Sequence, residues 1–364
     1  MSGLRYRLGV DTLNYVEHYK YSPNVSNFFS TDFSQTRFGI GYLILSAICK
    51  SITNDFTLLQ LIISTFVNTS ILRFFYKNTP RVFSAIQLYF CIFYLYYNME
   101  IIREAIAISM FLISWRYFVE HLWIKYYLCV LIAFLFHPSS LILVFLPLGF
   151  LPVFKRLFNL NWTTPVWIII FYGVGIFLSI RFFDLLRLIN LSQADTYADM
   201  YEMSDQSNSI NLNILGIISF TTISILYPLV ATWCINSGKV RNKFFSDTKY
   251  GAALYVIIFW SIYFAVFSQS IFILTRFSNY FTPFIVLVIS DVLFDRILLS
   301  KIHLKLKLSF PLWAILIFPY FLFSMANLFS QYHDTSYRTI QKYYPYSSVL
   351  TKEVDADREK MIGP

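Results

Sequence analysis

The sequence predicts an all-α fold, a polytopic transmembrane helical bundle, and its composition is the first reason. Of its 364 residues, 57% are hydrophobic and only 13% are charged, whereas a soluble domain carries about 25% charge. Mean hydropathy is +0.57, and the 39 Phe and 27 Tyr residues exceed what one water-soluble core of this length would bury. This composition excludes a soluble enzyme, a disordered chain and a secreted disulfide scaffold.

The second reason is a series of apolar runs long enough to cross the roughly 30 Å hydrocarbon layer of a bilayer. We identify about ten spans, at 56–76, 82–98, 102–118, 123–136, 138–151, 165–183, 211–235, 250–270, 275–294 and 309–329. The fourth and fifth are short and are separated by His137 and Pro138, and proline disfavours helix at the preceding residue. We interpret them as a tight helical hairpin, with a single kinked span as the alternative.

The third reason is the position of the Lys and Arg residues. Fourteen of the 29 fall in the loops 77–81, 116–125, 155–156, 236–249 and 295–308. With ten spans these loops all lie on one side, which is the cytoplasm by the positive-inside rule. The net charge of +9 is thereby explained without nucleic acid as a partner. The opposite face receives the polar 184–210 loop and the tail, whose Tyr-rich stretch predicts an aromatic belt.

The expected organisation is therefore a single transmembrane domain over residues 1–335 and a polar C-terminal tail over 336–364. Residues 1–37 are polar, and the run 39–52 is apolar but short. If that run crosses the membrane, residues 1–37 are cytoplasmic. If it is a re-entrant or interfacial helix, they are external, and position alone leaves both alternatives open.

Ionisable residues at the ends of spans are costly in lipid and are functional candidates. Arg103 opens one span, either as a snorkelling residue beside Glu100 or Glu104 or as a cavity-facing group that binds phosphate. His137 ends another span, either as a capped turn or as a proton-transfer group.

Arg276 lies at the outer end of a later span, and Tyr280 follows four residues on, which predicts a shared helix face. The topology places Arg103, His137 and Arg276 at one membrane face. Two arginines and one base suit a negatively charged lipid phosphate. The alternative for Arg276 is a simple membrane anchor.

Several other chemistries have no support in the sequence. It contains no P-loop, dinucleotide fingerprint, HExxH or DxD motif, so we expect metal-independent chemistry and no cofactor. Asp195 and Asp199 are interpreted as part of a solvated loop. The four cysteines, at 49, 91, 129 and 234, lie in or beside apolar runs without a CxxC pair and predict buried free thiols.

A family pattern is carried by four motifs. The opening segment has Arg5 and Arg7, then Gly9-Val-Asp11-Thr12, then Tyr15. Asn98-Met-Glu-Ile-Ile-Arg103-Glu-Ala, Phe136-His137-Pro-Ser-Ser and Arg276-Phe-Ser-Asn-Tyr280 follow in that order. This arrangement resembles the EpsG family of bacterial exopolysaccharide and capsule clusters, which is similar to the Wzy-type O-antigen and capsule polymerases. The resemblance covers nearly the whole chain.

The resemblance implies a GT-C-like membrane glycosyltransferase, multi-pass in the bacterial inner membrane. It would polymerise undecaprenyl-diphosphate-linked oligosaccharide repeats at the outer face. Arg103 and Arg276 would bind the diphosphate, with Arg5 and Arg7 as further substrate-binding residues. His137 or Asp11 would act as the base, and Tyr15 and Tyr280 would hold sugar or head group. A flippase and a chain-length regulator are the expected protein partners.

Two rival functions remain open, a flippase or transporter of lipid-linked oligosaccharide and a membrane acyltransferase. Family members usually have a transmembrane helix ahead of the Arg–Gly–Asp–Thr segment, and this sequence begins just before that segment. With such a helix, residues 1–37 are external and the run 39–52 does not cross.

Overall fold

The computed structural model describes residues 2–33, 36, 38–154, 157, 164–188, 225, 228–229, 248–268, 275–293, 331–333, 339–341, 343 and 346–352. The described part is dominated by helices. The α-helices are α1 (Val10–Tyr21), α2 (Ile40–Ile52), α3 (Thr57–Asn78), α4 (Val82–Ile92), α5 (Tyr94–Met99), α6 (Ile102–Val119), α7 (Trp123–Phe136), α8 (Thr164–Leu188), α9 (Thr248–Ser268), α10 (Thr275–Asn279) and α11 (Thr282–Leu293). The 3₁₀-helices are Ser2–Leu4, Val25–Ser30, Pro138–Phe150 and Pro152–Phe154.

Two compact units make up the chain, residues 1–144 with 293–364, and residues 145–292. In the first unit, α6 packs against α3 and α7, and α2 packs against α7. Most of α6 is buried, including Ile106, Ile108 and Phe111. Two short antiparallel strands, β1 (Gln331–His333) and β2 (Thr339–Gln341), form a hairpin in the same unit.

Two of the described helices are long and apolar enough to cross a membrane, Thr57–Asn78 and Lys249–Phe267. The run 82–98 is divided into α4 and α5, and α6 carries three charged residues, Arg103, Glu104 and Arg116. The runs 211–235 and 309–329 lie almost wholly outside the described residues, as does the 184–210 loop beyond Leu188. The all-helical character is therefore confirmed for the bundle, and the ten-span count stays a prediction.

The chain reverses direction after α7. His137 leaves the helix in an extended conformation, and the following 3₁₀-helix returns alongside α7. The Tyr126 hydroxyl donates a 2.6 Å hydrogen bond to the Leu143 carbonyl. The reversal thus confirms the interpretation of the runs 123–136 and 138–151 as a hairpin, and not the alternative of a single kinked span.

Helix α2 lies along α1 at both of its ends. Near its start, the Tyr42 ring lies 5.5 Å from the Tyr15 ring. Just beyond its end, the Tyr19 hydroxyl donates a 2.9 Å hydrogen bond to the Thr53 carbonyl. Its 13 residues are about 20 Å long, short of the roughly 30 Å of a hydrocarbon core. These contacts favour the non-crossing alternative for residues 39–52.

The two ends of the chain pair with each other. The Tyr6 N–H donates to the Ser347 carbonyl and the Val349 N–H to the Leu4 carbonyl, both at 2.9 Å. These bonds flank an antiparallel bridge between Arg5 and Ser348. Tyr343 is only 7% exposed, and its hydroxyl donates to the Glu100 carboxylate. The prediction of an aromatic belt at the membrane surface is therefore wrong for this residue.

The second unit contains α8, α9, α10 and α11. Helix α9 packs against α8 and α10, with the Tyr263 ring stacked on Phe171 at 4.4 Å between centroids. The run 275–294, expected as one span, is divided at Tyr280 and Phe281. The physical reason is Pro283, which is tolerated in the first turn of a helix but not in its interior.

Candidate active site

The N-terminal segment is held by a buried arginine, Arg5, which is 1% exposed. Its Nη1 donates to the Ser2 carbonyl at 2.6 Å, its Nε to the Leu8 carbonyl at 3.3 Å, and its Nη2 to the Thr12 hydroxyl at 3.2 Å. Burial lowers the pKa of Arg5 to about 10, so it is cationic at neutral pH. Arg5 therefore folds the segment around itself.

The end of α5 also holds the N-terminal segment in place. Thr12 donates a 3.0 Å hydrogen bond to the Met99 carbonyl, at the end of α5. Gly9 has φ 90, and a Cβ there would lie 2.6 Å from the same Met99 oxygen. Glycine alone meets both demands, because the left-handed conformation and the close approach each exclude a side chain. The Gly9–Thr12 motif thus fixes where α1 begins.

Helix α1 presents Asp11 and Tyr15 one turn apart. Asp11 is exposed in the first turn, and Tyr15 is 5% exposed. Burial raises the pKa of Tyr15 above its usual range, the Arg103 guanidinium opposes the rise, and the Asp11 carboxylate adds to it. Tyr15 is therefore a neutral phenol at physiological pH.

Arg103, in the first turn of α6, is oriented by aromatic side chains. Its Nε donates a 3.2 Å hydrogen bond to the Tyr15 hydroxyl. Its guanidinium carbon lies 4.6 Å from the centre of the Phe38 ring and 5.8 Å from that of Tyr15. Cation–π contacts of this kind hold an arginine without neutralising its charge. Arg103 is thereby a positioned, half-buried cation beside α1.

Residues 38 and 39 connect Arg103 with the end of α7. Gly39 follows Phe38 directly, and a Cβ on Gly39 would lie 2.5 Å from the Leu135 carbonyl and 2.9 Å from that of Phe136. The next residue after Phe136 is His137. The structure thus brings Asp11, Tyr15, Arg103 and the end of α7 to the same end of the first unit.

His137 is 8% exposed and lies where α7 gives way to the 3₁₀-helix. Its Nδ1 is 2.6 Å from the Ser139 hydroxyl and accepts a 3.3 Å bond from the Ser139 N–H. An Nδ1 that accepts from a backbone N–H carries no proton, so a neutral His137 has its proton on Nε2. The capped-turn interpretation describes this local geometry, in which Nδ1 is the accepting nitrogen and Nε2 carries the proton of the neutral ring.

The C-terminal segment contacts the residues just before α6 through Tyr343. The Tyr343 hydroxyl donates a short hydrogen bond to Glu100, just before α6. Burial raises the pKa of Tyr343 well above its usual range, and the Glu100 and Asp11 carboxylates add to this rise. Asp11 is therefore close to the contact between the tail and α6.

A cavity of about 470 Å³ lies beside the N-terminal segment. Its lining includes Arg7, Lys20, Asp55 and Lys352. Arg7 has φ 50 and its guanidinium carbon lies 5.4 Å from the centre of the Tyr6 ring. Arg7 is half-buried and lines this cavity, whereas Arg5 contributes to its wall from within the fold.

Arg276 and Tyr280 belong to the second unit. Arg276 is half-buried in the five-residue helix α10, and Tyr280 is fully buried just after it. The Tyr280 N–H donates to the Phe277 carbonyl at 3.3 Å. The expected shared face is limited, since α10 ends before Tyr280.

Three contributors to the site were not identified from the sequence, Phe38, Gly39 and Tyr343. The sequence offered one indication of Phe38 and Gly39, since an aromatic residue and a glycine stand directly ahead of a short apolar run. It offered none of Tyr343, because the hydrogen-bond partner, Glu100, lies far away along the chain. A contact between distant residues leaves no repeating pattern in the sequence.

The fold and this site define a helical membrane protein with an arginine positioned by Tyr15 and Phe38. A model of the EpsG family matches residues 1–348. The chain therefore belongs to the EpsG family, as its motifs indicated, and is a polysaccharide-related membrane protein of Wzy-like kind. Comparisons with curated proteins and with solved structures gave no match.

Proposed function

We propose that this protein is a polysaccharide repeat-unit polymerase of the bacterial inner membrane. It transfers the growing glycan from undecaprenyl diphosphate to a sugar hydroxyl of the next lipid-linked repeat. The observation that carries the proposal is Arg103, whose guanidinium is oriented by Tyr15 and Phe38 beside Asp11. An oriented guanidinium suits a diphosphate because its N–H groups match pairs of phosphate oxygens.

The reaction forms one glycosidic bond and breaks the bond between the donor sugar and its diphosphate. The acceptor hydroxyl loses its proton to His137 or Asp11, and its oxygen attacks the anomeric carbon of the donor sugar. The bond from that carbon to the diphosphate oxygen breaks, and undecaprenyl diphosphate leaves with the electron pair. Arg103 stabilises the negative charge that develops on the leaving diphosphate, and the family motif predicts the same role for Arg276. The chemistry requires no metal or cofactor.

The base has two candidates with different geometry. Asp11 is exposed one turn from Tyr15, so substrate has direct access to its carboxylate. His137 is nearly buried, and it acts as a base through Nε2 only in the tautomer whose Nδ1 proton is donated to the Ser139 hydroxyl. A general base contributes about 10²–10⁴ in rate. Asp11→Asn and His137→Gln are therefore each compared with wild type. The variant whose rate falls by that factor identifies the base.

The central experiment replaces Arg103 and Arg276 separately by alanine in the native gene cluster. Each variant should abolish polymer while single lipid-linked repeats accumulate, because a lost charge contact costs about 10²–10³ in rate. Glycan gels and lipid extracts report both. Normal polymer from both variants, with wild-type protein levels, would refute the assignment.

Purified protein distinguishes the rival functions. With lipid-linked repeats as the only substrate, a polymerase yields a ladder of lengths. A flippase only relocates the lipid across the vesicle membrane. An acyltransferase yields acylated sugar when an acyl donor is supplied.

A further inference from the structure

A large groove lies on the first unit between α3 and α6, away from the candidate active site. Its volume is about 860 Å³. The α3 side is a stripe of residues four apart, Leu61, Thr65, Thr69, Arg73 and Lys77, all exposed within the described part of the chain. The groove therefore runs along the axis of α3 and changes from apolar to basic.

The basic end lies far from Arg103. Helices α3 and α6 both begin beside the N-terminal segment, where Gln60 donates to the Arg5 carbonyl and Arg103 contacts Tyr15. Arg116 is 13 residues further along α6, or about 20 Å. Arg73, Lys77 and Arg116 therefore meet at the opposite end of this helix pair, which is the cytoplasmic side by the positive-inside rule.

Among the described residues, those lining the groove include three cations and no carboxylate. Glu120 follows Arg116 one turn later in the chain and is not among these lining residues. Tyr117 accepts a hydrogen bond from Arg116 and lines the groove, and Tyr76 is 75% exposed between Arg73 and Lys77. Tyrosines at this level are typical of head-group depth in a membrane.

The apolar part has the length of one leaflet. From Leu61 to Arg73 along α3 is about 18 Å, slightly more than the roughly 15 Å of hydrocarbon in one leaflet. Leu61, Ile62, Leu112 and Ile113 give this part aliphatic walls. An acyl chain along these walls would bring a head group to the level of the cations.

We propose that this groove binds an anionic phospholipid of the cytoplasmic leaflet. Arg73, Lys77 and Arg116 contact its phosphate, and its acyl chains lie against Leu61, Ile62 and Ile113. Basic pockets between transmembrane helices on the cytoplasmic side are suited to anionic head groups. The site is distinct from the proposed polymerase site, since about 20 Å of α6 separates the two.

The test uses the full-length protein in detergent with phosphatidylglycerol, phosphatidylcholine and undecaprenyl phosphate as probes. Native mass spectrometry measures how much of each stays bound. The double variant Lys77→Gln, Arg116→Gln is compared with Arg81→Gln, Lys125→Gln, which removes the same charge outside the groove lining. A third variant, Thr69→Trp, fills the apolar part and leaves every charge in place.

The expected result is a preference for phosphatidylglycerol over phosphatidylcholine. It should weaken about 25-fold in the groove double variant, from about 5-fold for each lost charge. Thr69→Trp should weaken it as well, and the control should match wild type. Equal binding by the groove double variant and the control overturns the proposal. So does equal binding of the two phospholipids, or a greater loss of undecaprenyl phosphate than of phosphatidylglycerol in the groove double variant.

Discussion

Arg5 and Arg103 are the same type of residue, but their different surroundings suit them to different roles. Both Arg5 and Arg103 are contacted by hydroxyl groups, but Arg5 is 1% exposed and donates from all three guanidinium nitrogens to Ser2, Leu8 and Thr12. Arg103 is half-buried and contacts Phe38 through its π face. We therefore assign Arg5 to positioning the segment, and Arg103 to the diphosphate in the proposed reaction.

Tyr15→Phe should lower the rate of polymerisation about 10- to 100-fold while protein levels stay at wild type. The phenol oxygen accepts from Arg103 Nε, and a misplacement of about 1 Å at a reacting centre costs about 10²-fold. The matched control is Tyr21→Phe, on the same helix with a side chain 82% exposed. The measurement is the initial rate of ladder formation by purified protein. A wild-type rate for Tyr15→Phe would contradict the role of this hydrogen bond.

Helices and their ends were partly readable from the sequence. The run 123–136 coincides with α7, and the run 102–118 agrees with α6 to within one residue, because neither run contains a glycine or a proline. Two other apolar runs, 82–98 and 275–294, were predicted as single spans, but the structure divides each into two helices. The run 275–294 contains Pro283, a signal that was present, whereas the division at Phe93 has neither glycine nor proline beside it. Tertiary contacts set such a break, and a sequence pattern does not contain them.

Gly39→Ala should separate α2 from the end of α7. The new Cβ would lie 2.5 Å from the Leu135 carbonyl, and overpacking of this kind costs about 1–3 kcal/mol in the free energy of unfolding. Because Phe38 and His137 adjoin this contact, polymerisation should also fall. The control is Gly173→Ala in α8, where no atom lies within 4 Å of the added Cβ.

Thermal unfolding in detergent and the ladder assay measure the two effects. A lower midpoint together with slower polymerisation is expected for Gly39→Ala, and neither for Gly173→Ala. If both variants unfold at the wild-type temperature, the close packing of α2 on α7 is not present in solution.

At the scale of the whole molecule, the site depends on segments from opposite ends of the chain. Arg5, Asp11 and Tyr15 come from the beginning, Arg103 and His137 from the middle, and Tyr343 from the end. The family motifs indicated most of these residues in advance, because Arg103 and His137 are ionisable residues beside apolar runs, and the others except Tyr343 belong to one motif of the polar segment 1–37. The pairing of Arg5 with Ser348 was not predictable, since one isolated bridge leaves no pattern in either strand.

Ending the chain after Lys342 should abolish polymerisation and lower the unfolding midpoint, because it removes Tyr343 and the backbone bonds from residues 347 and 349. Ending it after Lys352 leaves every one of these contacts in place and should preserve activity. Polymer yield in cells and thermal unfolding of the purified proteins provide the comparison. Wild-type behaviour of the shorter chain would show that the tail has no part in the site.

The pairing of Leu4 and Tyr6 with Ser347 and Val349 has a consequence for biogenesis. Ser347 and Val349 leave the ribosome only after every helix of the described part has been synthesised. During synthesis the Leu4 carbonyl and the Tyr6 N–H therefore wait for these two partners, and the N-terminal segment reaches its final backbone pairing late.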